Sequence, residues 1–189
     1  MDTATEATDV RALAAALKTG DERAFRALFD TLYAPLVAYS AGLCGSRHLA
    51  EDLAQEAFVR LWRNRARIDP ARSVRALLFV TVRNLSFNAT RERSTHRKLL
   101  HEMETSDSRP PEHGGVDAGR LRDRLREWIA KLPDREQEAF RLSRFADLTH
   151  QEIADVMGIS KGTVEKHITN ALRKLRDRIK AFDPEILKS

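Results

Sequence analysis

Apolar residues recur every three or four positions along almost the whole chain, and no convincing run alternates with the period of two that a half-buried strand requires. A chain patterned in this way buries helix stripes against one another, so the expected fold class is all-α. From Val10 to Leu43 the pattern is helical, with breaks expected at Gly20-Asp21 and near Ala34-Pro35 and a turn over Gly42–Arg47. A well-patterned helix is expected from about Leu49 to Ala66. Asp69-Pro70 interrupts the pattern, because the ring of Pro70 disfavours a helical Asp69 and removes a backbone donor. Ser73 to about Leu100 reads as one or two further helices.

The pattern fails over one longer interval, Met103–Gly119 (METSDSRPPEHGGVDAG), which is rich in Pro, Gly, Ser and acids and has almost nothing to bury. It reads as a flexible linker. The expected organisation is two small helical domains, residues 10–100 and 120–182, joined by a linker at 101–119.

Lys and Arg number 33 against 28 Asp and Glu, a net charge of +5 that suits a polyanionic partner, nucleic acid first and anionic membrane second. Cys44 is the only cysteine, which excludes a disulfide framework and a Cys-based metal knuckle. His48 follows it by four residues, but no second ligand pair is evident, so a buried cysteine is expected and no metal or cofactor. There is no phosphate-cradling glycine loop and no His-Glu-x-x-His pair, so no active site is expected. Met1–Val10 is polar and acidic, unlike a secretion signal, and no stretch approaches the roughly 20 apolar residues of a membrane span. A soluble cytoplasmic protein without membrane insertion is expected.

The most specific motif runs from Leu148 to Val164. Thr149 and Glu152 stand in the S/T-x-x-E spacing of a capping box, and Ile153, Ala154 and Met157 supply an apolar face. Gly158 stands where the helix must end and turn, Ile159 fills the angle, and Ser160 is placed to cap the next helix. Val164, Ile168, Leu172 and Leu175 continue as a core-facing stripe. This is the spacing of a helix-turn-helix, whose second helix enters the DNA major groove. Its exposed side would carry Glu165, Lys166, Thr169 and Asn170, with Arg173, Lys174, Arg176, Arg178 and Lys180 behind them as a basic tail for phosphate. Upstream, Asp134 is expected to cap another helix, and Ala139, Phe140, Leu142 and Phe145 to join Trp128 and Ile129 in the core.

In the N-terminal half the informative segment is Ala50–Trp62. One stripe, Leu53, Ala54, Ala57, Phe58 and Leu61, is core. The other, Asp52, Gln55, Glu56 and Val59, falls at i, i+3, i+4 and i+7, which sets two acids, an amide and an apolar contact on one exposed ridge. Such a ridge suits a basic helix of another protein.

The ridge resembles region 2 of bacterial sigma factors, where D-x-x-Q-E grips the clamp coiled-coil of the largest RNA polymerase subunit; here those residues are Asp52, Gln55 and Glu56. The resemblance continues through Arg75–Leu85, similar to the family's promoter-melting segment, and the helix-turn-helix is similar to its region 4. It covers roughly 24–98 and 121–179, in the family's order, and the absence of an intermediate domain points to the extracytoplasmic-function group.

The resemblance implies a non-enzymatic subunit that binds core RNA polymerase and promoter DNA and has an anti-sigma factor as a further partner. It implies that the minus-ten element is met by Arg67, Arg72, Phe79, Arg83, Asn84, Asn88 and Arg91, and the minus-thirty-five duplex by Lys161, Thr163, Glu165, Lys166, Thr169, Asn170, Arg173 and Lys174. Thr163–Ile168 is similar to the recognition helix of members controlling ferric-siderophore uptake.

Two departures stand out. Glu165 occupies a place where many members carry a basic residue. Val74 and Leu77 stand where the melting segment usually has an aromatic, which leaves stacking on an opened strand to Phe79 or Phe87, or replaces it by a pocket, for which the loop from about Arg67 to Val74 with Asn84 beside it is the candidate. The alternative reading is a one-component helix-turn-helix regulator, which would usually carry an α/β sensor domain ahead of the motif.

Overall fold

A computed structural model of the chain describes residues 12–69, 72–100 and 116–182, and every regular element among them is helical. The chain divides into two compact units, Met1–Ser108 and Arg109–Ser189.

The first unit holds α1 (12–18), α2 (Glu22–Cys44), α3 (Arg47–Arg63) and α4 (Val74–Leu100). Gly20 at φ +89° turns the chain out of α1, and the Asp21 carboxylate then accepts from the backbone N–H groups of Arg23 (2.7 Å) and Ala24 (3.3 Å), opening α2. The break expected near Ala34-Pro35 does not occur: α2 runs through Pro35. An interior proline costs about 3 kcal/mol. Leu28 and Leu32 before it, and Leu36, Val37 and Tyr39 after it, are all buried, each large side chain contributing about 1.5–3 kcal/mol. Burial on both sides outweighs the lost bond.

Helix α2 ends at Gly45, whose φ of +69° lets its N–H reach the Ala41 carbonyl. It packs on α3 and on α4, which also pack on each other. Phe58 of α3 sits at the centre, with the rings of Phe29 at 4.8 Å and Phe25 at 5.9 Å. Ser40 and Ser86 meet in this core at 2.8 Å, joining α2 to α4. Glu22–Cys44 is also long and apolar enough to cross a membrane (mean hydropathy 1.2), contrary to the expectation that no stretch comes close. Its buried face against α3 and α4 accounts for that composition.

The second unit holds α5 (Val116–Ala130), α6 (Asp134–Phe145), α7 (His150–Met157) and α8 (Lys161–Phe182). Helix α5 starts inside the expected linker, so 116–119 are helical; 101–115 lie outside the described residues. Asp134 does not cap α6, as expected, but is its first helical residue: the cap position is Pro133, with no side-chain bond. The Gln137 amide instead reaches back 2.7 Å to the Ile129 carbonyl, closing the end of α5. Ile129, Leu132, Phe140, Ala171 and Leu175 form a core shared by α5, α6 and α8. Phe145, expected in that core, is 56 % exposed and touches it only edge-on, 6.3 Å from Phe140.

Candidate polymerase and nucleic-acid interfaces

The α3 ridge forms because α3 is unbroken from Arg47 to Arg63 and turns Ala50, Ala54, Ala57, Phe58 and Leu61 inward. Asp52, Gln55 and Val59 are left exposed on the opposite side and Glu56 half-exposed. Glu56 accepts from Arg60 Nε at 2.7 Å, an exposed i,i+4 pair worth a few tenths of a kcal/mol. Asp52 and Gln55 have no intramolecular partner among the described residues. The ridge therefore offers one unpaired carboxylate, one free amide and one apolar side chain.

The minus-ten candidates divide into a loop and a helix face. After α3 the chain makes a single 3-10 turn, Arg65–Arg67, pinned by the Arg65 guanidinium, which lies 4.3 Å over the Trp62 ring and donates to the Trp62 carbonyl at 2.9 Å. Ile68 and Val74 are buried and anchor the two ends of the following loop, while Arg67 and Arg72 are exposed. The Ser73 hydroxyl accepts from Ala76 N–H at 3.1 Å and starts α4. On α4, Leu77, Thr81, Asn84, Asn88 and Arg91 follow at helical spacing; Leu77, Asn84, Asn88 and Arg91 are exposed.

Phe79 does not belong to this face. It is 0 % exposed, with its ring 5.4 Å from that of Tyr39, and cannot stack on a nucleic-acid base. The aromatic that does face outward is Phe87, 41 % exposed, with the Arg83 guanidinium 4.6 Å over its ring. The apolar period placed both rings on α4. Distinguishing them required the position of Tyr39, which is 40 residues away in sequence.

In the second unit the capping box is fully formed: Glu152 N–H donates to Thr149 Oγ1 (3.3 Å) and Thr149 N–H to Glu152 Oε2 (2.8 Å). Gly158 at φ +66° ends α7, and Ser160 Oγ accepts from Thr163 N–H at 3.2 Å to open α8. Val164, Ile168, Ala171 and Leu175 face the core, which leaves Lys161, Glu165, Lys166, Thr169 and Arg173 exposed. Glu165 is flanked by His150 Nδ1 at 3.5 Å and Lys161 Nζ at 4.0 Å.

Three of the expected minus-thirty-five residues are placed differently. Thr163 spends its hydroxyl on Ser160 (2.8 Å) at the cap, and Asn170 is half-buried. Lys174 turns to α6, its Nζ 2.7 Å from Glu136 Oε2. Of the basic tail, Arg178 is also occupied, donating to the Trp128 carbonyl at 2.8 Å. Cys44 is half-buried, its thiol donating to the Ser46 carbonyl at 3.3 Å, and His48 is exposed.

The geometry defines a class first: a helix-turn-helix protein with a separate helical unit ahead of the motif. Residues 28–95 match Sigma-70 region 2 and residues 122–175 match Sigma-70, region 4. The ECF RNA polymerase sigma factor RpoE of Cereibacter sphaeroides is 32 % identical over 162 residues, covering 84 % of this chain and 88 % of that one. The ECF RNA polymerase sigma factor SigL of Mycobacterium tuberculosis is 33 % identical over 155 residues, covering 80 % and 86 %. Among solved structures, CnrH in complex with the cytosolic domain of CnrY superposes with a TM-score of 0.65 at 26 % identity, over 92 % of this chain and 98 % of that one. The sigma factor RpoE in complex with the anti-sigma factor NepR from Bartonella quintana shares the fold, with a TM-score of 0.66 at 22 % identity, over 82 % and 96 %. The chain belongs to the ECF RNA polymerase sigma factors.

Proposed function

We propose that the chain docks on core RNA polymerase through Asp52, Gln55, Glu56 and Val59 and directs it to promoters that its two units read separately. The exposed, unpartnered Asp52–Gln55 pair on α3 carries this reading, because a helix-turn-helix alone would serve a regulator equally well. In the first unit Arg67, Arg72, Arg83, Asn84, Asn88 and Arg91 face the minus-ten strand, with Phe87, and not the buried Phe79, in the stacking role expected of one or the other. Extruding a base costs a few kcal/mol, which a pocket and phosphate contacts offset. In the second unit α8 lies in the minus-thirty-five major groove, with Lys161, Glu165, Lys166, Thr169 and Arg173 toward the DNA.

Such a subunit supplies no chemistry of its own and works in the cytoplasm, where polymerase and DNA are. An anti-sigma factor is proposed as a further partner; the solved RpoE–NepR pair, which has the same fold, supports it. Control of ferric-siderophore uptake rests on Thr163–Ile168 alone.

Transcription by core polymerase on genomic DNA, read by start-site mapping with and without the chain, tests the proposal. Starts that share two upstream elements and depend on the chain support it; starts that do not change refute it. Enrichment beside iron-uptake genes would support the subgroup, and starts elsewhere would remove it.

A further inference from the structure

Over Lys161–Arg173 the exposed face of α8 carries one acid, Glu165, among cations, and an acid is the wrong charge for a surface that approaches phosphate. Glu165 lies one turn into the helix, where side chains reach base edges. Its side chain is 50 % exposed. Two nitrogens beside it lie against the same oxygen: His150 Nδ1 stands 3.5 Å and Lys161 Nζ 4.0 Å from Oε1. They come from different helices, His150 from the first residue of α7 and Lys161 from the first residue of α8. Oε2 has no hydrogen-bond or ion-pair partner among the described residues.

This arrangement does two things. Lys161, and His150 when protonated, offset the repulsion between the carboxylate and the phosphates on either side of the groove. Both lie against Oε1, which leaves Oε2 as an acceptor with no donor among the described residues. A carboxylate can only accept, so among base edges it selects an amino group. In the major groove cytosine presents N4–H2 with only C5–H beside it on the same base, whereas the N6–H2 of adenine lies beside that base's own N7 acceptor, which repels an anion.

We infer that Glu165 is a specificity-determining residue that selects cytosine at one position of the upstream duplex. The inference rests on α8 being the helix that enters the groove. Bracing the turn between α7 and α8 engages Oε1 alone, which leaves Oε2 available to a base.

The test uses holoenzyme assembled from the full chain and core RNA polymerase, transcribing a promoter library randomised over the upstream element, with output counted by sequencing. Wild type is expected to favour cytosine at one position by about fivefold or more. Glu165→Lys moves the preference at that position to guanine, whose O6 and N7 accept from lysine, and Glu165→Gln moves it to adenine. The half-exposed site lets both substitutions fold, and the glutamine keeps the shape if the lysine does not. If wild type reads an upstream element but both variants keep its base preferences, Glu165 only braces the turn and the inference is overturned while the helix-turn-helix reading stands. If wild type shows no upstream preference at all, both fall.

Discussion

Lys174 of α8 and Glu136 of α6 meet at 2.7 Å between Nζ and Oε2, with the carboxylate side chain only 11 % exposed. The pair ties α8, the helix proposed to enter the DNA groove, to α6 behind it. A buried carboxylate that loses its cation keeps its desolvation cost, so one partner matters more than the net worth of the pair. Lys174→Met is expected to destabilise the chain by about 1–2 kcal/mol, discounted for the 38 % exposure of the lysine, and to lower the unfolding midpoint by a few degrees. Adding Glu136→Leu should recover most of the loss. Calorimetry of the four chains of the cycle checks both statements.

The same pairing separates two lysines that look equivalent in sequence. Lys166 is exposed on α8 with no partner among the described residues, whereas Lys174 is engaged. Lys166→Ala should weaken holoenzyme binding to promoter duplex and reduce the slope of log affinity against log salt by about one. Lys174→Met should leave that slope alone. Equal slopes for the two variants would show that the 2.7 Å pair does not hold Lys174 away from phosphate.

Ser86 donates its single hydroxyl proton to the Val82 carbonyl at 2.8 Å, so in the 2.8 Å contact with Ser40 the proton comes from Ser40. Removing the acceptor strands a buried donor; removing the donor strands nothing that must be satisfied. Ser86→Ala is therefore expected to cost about 1–2 kcal/mol and Ser40→Ala about half that or less. Chemical denaturation of the two variants gives the order, and a larger loss for Ser40→Ala would reverse the assignment of the proton.

Phe79 is buried and Phe87 exposed on the same helix, so their substitutions are expected to separate stability from promoter opening. Phe79→Ala empties a fully buried site and should cost about 3–5 kcal/mol. Phe87→Ala removes a ring that is 41 % exposed, so the fold should survive and promoter opening should fall. Permanganate footprinting of the opened strand reads the second effect, and wild-type opening by Phe87→Ala would remove the aromatic from the melting step.

The all-α class, the helix-turn-helix and the α3 ridge were legible because each rests on local spacing. The capping box at Thr149–Glu152 and the turn at Gly158 involve residues a few positions apart, and the chemistry of each is set by side-chain type. What misled sequence reasoning was long-range. Pro35 reads as a break until the buried residues on both sides of it are counted, and Phe79 reads as available until Tyr39 is placed against it. Lys174 reads as part of a basic tail until Glu136, 38 residues earlier, is brought beneath it. Spacing could have raised one of these: Leu28, Leu32, Leu36 and Tyr39 keep the helical period straight through Pro35.

We propose that the exposed α3 ridge makes this helix-turn-helix protein a polymerase subunit. The most direct test is the affinity of the full chain for core RNA polymerase, measured for wild type and for the double variant Asp52→Ala, Gln55→Ala. Both residues are exposed and unpartnered among the described residues, so the variant should fold as wild type does. The expected result is tight binding by wild type and a loss of about tenfold or more in the variant. Equal affinity of the two chains for core polymerase would contradict the account.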